Sequence, residues 1–202
     1  MKKDLPLVRH ARPRSQRGTS LIVSLLLLLV VTVLSVAMFS KVVGEERMAG
    51  NVREHQRALA AAQTALQYAE NWLSGVYTGN LATCDAGTVA VTSPGLVQVC
   101  DKPVYGSAST ASAQRAIVTE PSNWATRFTY QPSGMAVGTS DSTTQRHAQL
   151  PGFYISALGL GPDGRTPLYQ VSSYGIGGNG STISVVQSTY ALTAQVTPLD
   201  NP

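Results

Sequence analysis

Charge is scarce in this chain and unevenly spread. Only 13% of its residues are Asp, Glu, Lys or Arg, and none lies among the 23 residues from Gly18 to Ser40. Cysteine is limited to Cys84 and Cys100, histidine to His10, His55 and His147, and aromatic residues to 6%. That few aromatics is about what one small core consumes. Two cysteines without CxxC spacing do not make a four-ligand zinc site. The histidines form no HExxH pair, and no serine stands in a GxSxG elbow. Asp141 and His147 share a polar stretch that reads as a solvated loop. The glycine clusters lack a following Lys-Ser or Lys-Thr and lie between strand patterns, so they read as turns, not as phosphate cradles. No catalytic set remains. The sequence therefore predicts no enzyme, no cofactor and no metal.

The net charge of +4 invites a nucleic-acid reading, but its location removes it. Residues 1–18 hold Lys2, Lys3, Arg9, Arg12, Arg14 and Arg17 against Asp4 alone, so everything after Gly18 is slightly acidic. No direct nucleic-acid binding is expected. A basic flank before an apolar run is a topology signal that keeps the amino terminus cytoplasmic. The residues beyond that run are then exported.

The run itself, fenced by Arg17 and Lys41, is long enough to span a bilayer, which needs about 20 apolar residues. Its inner hydroxyls, Ser24, Thr32 and Ser35, can be satisfied by the helix's own carbonyls. A secretory cleavage site can be drawn at Ser35-Val36-Ala37, but helix periodicity does not stop there. In an exported compartment, Cys84 and Cys100 favour one disulfide over two separate buried thiols.

Beyond Lys41 the pattern becomes one-sided. Met48, Val52, Leu59, Ala62, Leu66, Ala69 and Leu73 recur at steps of three or four, with His55 in the intervening slot. Alanine-rich positions 58–65 raise helix propensity. One helix is thus expected over about Ser20–Leu73, within a segment 19–74 whose part 21–40 is the span and part 41–74 amphipathic. Gly75 suits its carboxy-terminal cap. Gly44 and Gly50 mark either a helix bend or close helix packing.

From residue 75 to 202 the composition shifts to Gly, Ser, Thr and Pro with short alternating runs, which predicts one antiparallel sheet domain. Candidate strands are Leu96–Val99, Trp124–Tyr130 with one aromatic face, Phe153–Leu158, Leu168–Ser173 and Ser181–Val196. The last three form a meander joined by the glycine-rich turns 159–164 and 175–180. Ser107–Gln114 and Ser133–Gln145 read as surface loops suited to partner contacts. The expected architecture is α+β: a helix laid across an antiparallel sheet in two layers, with its apolar stripe covering the sheet.

A basic leader ending in glycine, an uncharged run, an unbroken amphipathic helix and a small cysteine-bearing sheet domain together resemble type IV pilins and pseudopilins. Gln16-Arg17-Gly18 before Leu21-Ile22-Val23, then Glu45-Glu46-Arg47-Met48-Ala49-Gly50-Asn51 and Ala58, Ala61, Ala62 and Ala65, is similar to the amino-terminal region of PilX-type minor pilins. Tyr169-Gln170-Val171 leading to Gly175 and Gly177, and the closing Gln187-Ser188-Thr189-Tyr190, resemble the end of such proteins.

The resemblance implies a basic prepilin leader, 1–18, cut by a prepilin peptidase between Gly18 and Thr19, with methylation of the new amino group on Thr19. It implies a single-pass inner-membrane protein whose sheet domain is periplasmic and which later enters a surface filament. Its partners would be other minor pilins, the major pilin, the inner-membrane assembly platform and a tip adhesin. Major pilins resemble one another in a glutamate at the fifth mature position, and here that position is Val23. The absent carboxylate implies a place at or near the filament tip, in a priming complex. Two other readings share part of this pattern: a type II secretion pseudopilin, and an anchored exported binding domain with no filament.

Overall fold

The computed structural model describes residues 18–138 and 147–192. Residues 1–17 of the leader and the carboxy-terminal end of the Ser181–Val196 strand expectation lie outside them, as do residues 139–145 of the Ser133–Gln145 loop, Asp141 among them. The chain divides into two compact units after Ala49. Helix α1 (Thr19–Gly75) belongs to both.

In the first unit α1 is uniformly exposed, and no described side chain from Leu21 to Phe39 is buried. The expected back-bonding is present: Ser24 Oγ donates to the Leu21 carbonyl at 2.9 Å, Thr32 Oγ1 to that of Leu29 at 2.8 Å and Ser35 Oγ to that of Val31 at 2.8 Å. This leaves the outer surface of the span wholly apolar. Thr19–Gly75 is long and apolar enough to cross a membrane.

The second unit packs the end of α1 on a seven-stranded sheet. Its strands are β1 (Leu81–Ala82), β2 (Gly87–Ala90), β3 (Val99–Cys100), β4 (Thr126–Thr129), β5 (Gly152–Leu160), β6 (Pro167–Ile176) and β7 (Ile183–Ala191). The meander β5–β6–β7 is antiparallel as expected. β4 also joins β5 antiparallel, but the other pairings are not. β2 runs parallel to β4, β3 parallel to β5 and β1 parallel to β3, so the sheet is mixed. Strand β5 is central because one edge pairs with β6 while the other is shared between β4, at Gly152 and Phe153, and β3, at Ser156. The Leu96–Val99 strand expectation shifts forward: Pro94–Leu96 form a 3-10 turn, and pairing begins at Val99. Ser107–Gln114 is not wholly a loop, since α2 (Ala111–Thr119) starts within it, its Thr110 Oγ1 accepting from the Ala113 N–H at 3.3 Å.

Both faces of β5 are buried. Toward α1 it presents Phe153 and Ile155, joined by Val171 of β6 and Phe128 of β4. On the other face Tyr154 and Tyr174 meet the edge of Trp124, with ring centroids 6.5 and 5.4 Å apart, and Trp124 Nε1 donates to the Ile117 carbonyl of α2 at 3.0 Å. A third element thus covers the side a two-layer fold would leave wet. Trp124, Thr126 and Phe128 are buried, but the single aromatic face expected of the Trp124–Tyr130 run is split, since Trp124 lies on the side away from α1 and Phe128 on the side toward it.

Gly75 is the last residue of α1, not a left-handed cap beyond it. The Trp72 carbonyl accepts from the N–H groups of Val76 at 2.9 Å and Tyr77 at 3.3 Å, which tightens and ends the last turn.

Candidate functional site

Among the described residues no three His, Cys, Asp or Glu side chains cluster as metal ligands. His55 Nδ1 shares a 3.3 Å hydrogen bond with Ser184 Oγ, and His147 Nδ1 pairs with the Ile176 carbonyl at 3.2 Å. Both are tied to the scaffold.

At the start of α1, Gly18 lies in an exposed turn and Thr19 is the first helical residue. Nothing stands within 4 Å of a Cβ placed at Gly18. Val23 is 58% exposed one turn further on, on a surface that offers it no charged neighbour among the described groups. Gly44 and Gly50 are both helical, with open space where a side chain would sit.

The Gly50–Gly75 part of α1 has three distinct faces. The sheet takes Ala58, Ala61, Ala62, Ala65 and Ala69, followed by Trp72 and Leu73. Ala62, Ala69 and Leu73 of the expected stripe lie on this face, but its larger members Met48, Val52 and Leu59 do not. The reason lies on the sheet: a Cβ at Gly175 of β6 would stand 2.2 Å from the Ala58 carbonyl oxygen and 2.5 Å from the Ala62 nitrogen. Backbones this close leave room only for alanine between them. Gly175, expected in a turn, is therefore a strand residue in contact with the helix, and the turn begins at Gly177.

The second face carries Val52, 49% exposed, with Leu59 and Leu66 half-buried. In the first unit Met48 is likewise 68% exposed. These large apolar side chains do not serve the chain's own sheet as fully as their periodicity suggests. Leu66 packs against the core, while Val52 and Met48 are left available.

The third face is polar. Arg53, Gln56, Arg57, Ala60, Ala61 and Thr64 wall an open groove of about 550 Å³, closed on the far side by Met135 and His147. Beside it, Glu54 ties α1 to the β6–β7 turn: Oε2 accepts the Asn179 N–H at 3.0 Å, while Oε1 accepts Arg57 Nη1 at 2.9 Å. Lower on the helix Ser188 Oγ donates to Glu70 Oε1 at 2.6 Å. The turn is itself set by Asn179 Oδ1, which accepts from the N–H groups of Ser181 and Thr182.

Cys84 and Cys100 are joined in a disulfide with a Cα separation of 5.5 Å. The bridge closes segment 84–100, which holds β2, and ties the chain just after β1 to β3. Tyr154 then fixes the chain just beyond it, donating from its hydroxyl to the Lys102 carbonyl at 2.8 Å. Burial, followed by the nearby Asp101 and Asp85 carboxylates, pushes that phenol up to about 12.

Compared with known proteins, residues 17–67 match the family model described as PilX N-terminal. No curated protein and no solved structure matches the chain. The matched segment begins at Arg17, contains the whole apolar run and ends within the alanine face of α1. That family is structural rather than catalytic, and with one exposed apolar helix it fits a membrane-anchored protein that interacts with pilus assembly components. The match over residues 17–67 supports a PilX-type pilin assignment for this amino-terminal segment, and the α+β fold is consistent with it.

Proposed function

We propose that the chain is a non-catalytic minor pilin that takes part in priming type IV pilus assembly, at or near the filament tip. The observation that carries this reading is the PilX N-terminal match over a helix whose apolar run from Leu21 to Phe39 is exposed. A plain anchor needs apolar residues only across the bilayer, yet here exposed Met48 and Val52 continue them past Lys41. In this reading Gly18 and Thr19 flank the processing site, Thr19 carries the methyl group, and the helix serves first as membrane anchor and then as a filament interface. Gly44 and Gly50 mark the place between the two uses where the helix can bend or pack closely against a neighbour.

Val23 supports the tip position. A carboxylate here would need a neighbour's amino group, and a buried charge without its partner is costly. A subunit lacking that carboxylate fits where no neighbour presents an amine, among other minor pilins and beneath an adhesin, better than in the repeating shaft. The test is to count surface filaments in cells lacking the chain, and in cells carrying Val23→Glu or Val23→Ala. The reading expects few filaments without the chain, normal numbers with Val23→Ala and reduced numbers with Val23→Glu. Unchanged numbers with Val23→Glu, together with loss from Val23→Ala, would remove charge absence as the reason for this residue.

A further inference from the structure

The groove on the third face of α1 has a chemistry that the family assignment does not use. Arg53 and Arg57 stand one helical turn apart on its wall, with Gln56 and Thr64 beside them and His147 opposite. Among the described residues no carboxylate lines it. Like charges at this spacing repel. Glu54 answers only Arg57, and its other oxygen is taken by the Asn179 N–H. Arg53 has no hydrogen-bond or ion-pair partner among the described residues. Arg57 engages Glu54 through Nη1 alone, so the rest of its guanidinium fork has no partner among the described residues. The groove therefore holds one unanswered guanidinium and most of a second, over a floor of Ala60 and Ala61 and against the thioether of Met135.

We infer that this groove is a docking site for a carboxylate-bearing segment of a neighbouring subunit, an acidic side chain on an aliphatic stem entering between Arg53 and Arg57. This deepens the minor-pilin reading and rests on it for the identity of the neighbour. The mixed lining favours a carboxylate over nucleic acid. A phosphate backbone is bound by a long track of cations, whereas this site offers two arginines and one histidine around an apolar floor. Two adjacent guanidiniums suit bidentate recognition of a carboxylate, and Ala60, Ala61 and Met135 suit the methylenes behind it.

The test uses the full chain in detergent and a fluorescent hexaglutamate peptide as the probe, with hexaglutamine as its neutral counterpart and a twelve-residue oligothymidylate as competitor. Variants are Arg53→Gln, and Arg115→Gln on the exposed surface of α2 as a control for net charge. The expected result is binding of hexaglutamate but not hexaglutamine, weakened roughly tenfold by Arg53→Gln and little by Arg115→Gln, as loss of a charge-assisted contact should do. Equal weakening by both variants, no binding, or tighter binding of oligothymidylate through Arg53 would overturn it. Peptide binding does not depend on filaments. Failure to bind, in cells that still need the chain for filaments, removes the groove alone, while binding by a chain absent from filaments removes the pilin reading.

Discussion

Gly175 lies against the backbone of α1 so closely that an added Cβ would stand 2.2 Å from the carbonyl oxygen of Ala58. A contact below 3 Å with backbone cannot be relieved by turning a side chain. Either β6 or the helix must move, and each is held along its length, β6 by nine registered pairs with β7. Gly175→Ala is expected to destabilise the sheet unit by about 1–3 kcal/mol, the usual range for overpacking. Gly95→Ala, which meets nothing within 4 Å, should stay within about 0.5 kcal/mol. Denaturant unfolding of the full chain in detergent compares the two.

The disulfide holds strands too short to hold themselves. β1 and β3 contribute two residues each, and β3 reaches β5 through the single pair Cys100 and Ser156. Replacing Cys84 and Cys100 with serine should cost about 3 kcal/mol by loop entropy, read as a lower unfolding midpoint. Amide exchange should rise first over residues 81–100.

Glu54 couples helix to hairpin through a single backbone N–H. In Glu54→Ala the Asn179 amide loses its acceptor and should exchange faster, while amides in the middle of β6 and β7 keep their protection. Equal acceleration throughout the hairpin would show that the carboxylate supports the whole sheet and not the turn.

Asp163 organises the β5–β6 turn. Its hydrogen bond from the Thr166 hydroxyl, then the backbone N–H groups of Thr166 and Arg165, lower its carboxyl from 3.8 to about 2. A lowered folded value contributes stability that is present above the unfolded value and lost as pH falls from about 4 through about 2. Thr166→Val removes the largest of these contributions, so the Asp163 titration followed by NMR should move back toward 3.8. An unchanged midpoint would assign the effect to the backbone donors.

Long-period features were readable from residues alone. The apolar run, the extent of α1 to within two residues at either end, the hydroxyl back-bonding, the cysteine pair and the β5–β6–β7 meander all arise from patterns within one segment. The face that α1 turns to the sheet does not. Periodicity is dominated by Met48, Val52, Leu59 and Leu66, yet the sheet selects alanines, because Gly175, more than a hundred positions away, brings the backbones together. The parallel pairing of β2 with β4 was equally hidden, since four-residue strands carry no signal of direction. α2 had a readable start in Thr110 before an alanine-rich run, outweighed by its polar composition. In the groove, the Arg53 and Arg57 spacing stands in the sequence, but Met135 and His147 become its opposite wall only through the fold.

The most direct measurement is the mass of the mature amino-terminal peptide, taken from membranes and from sheared surface filaments, with and without prepilin peptidase. The account predicts a chain that starts at methylated Thr19, is present in both fractions and retains residues 1–18 when the peptidase is absent. A chain starting at Met38, or one with an uncut leader in normal cells, would contradict it and leave an exported or anchored domain with no place in a filament.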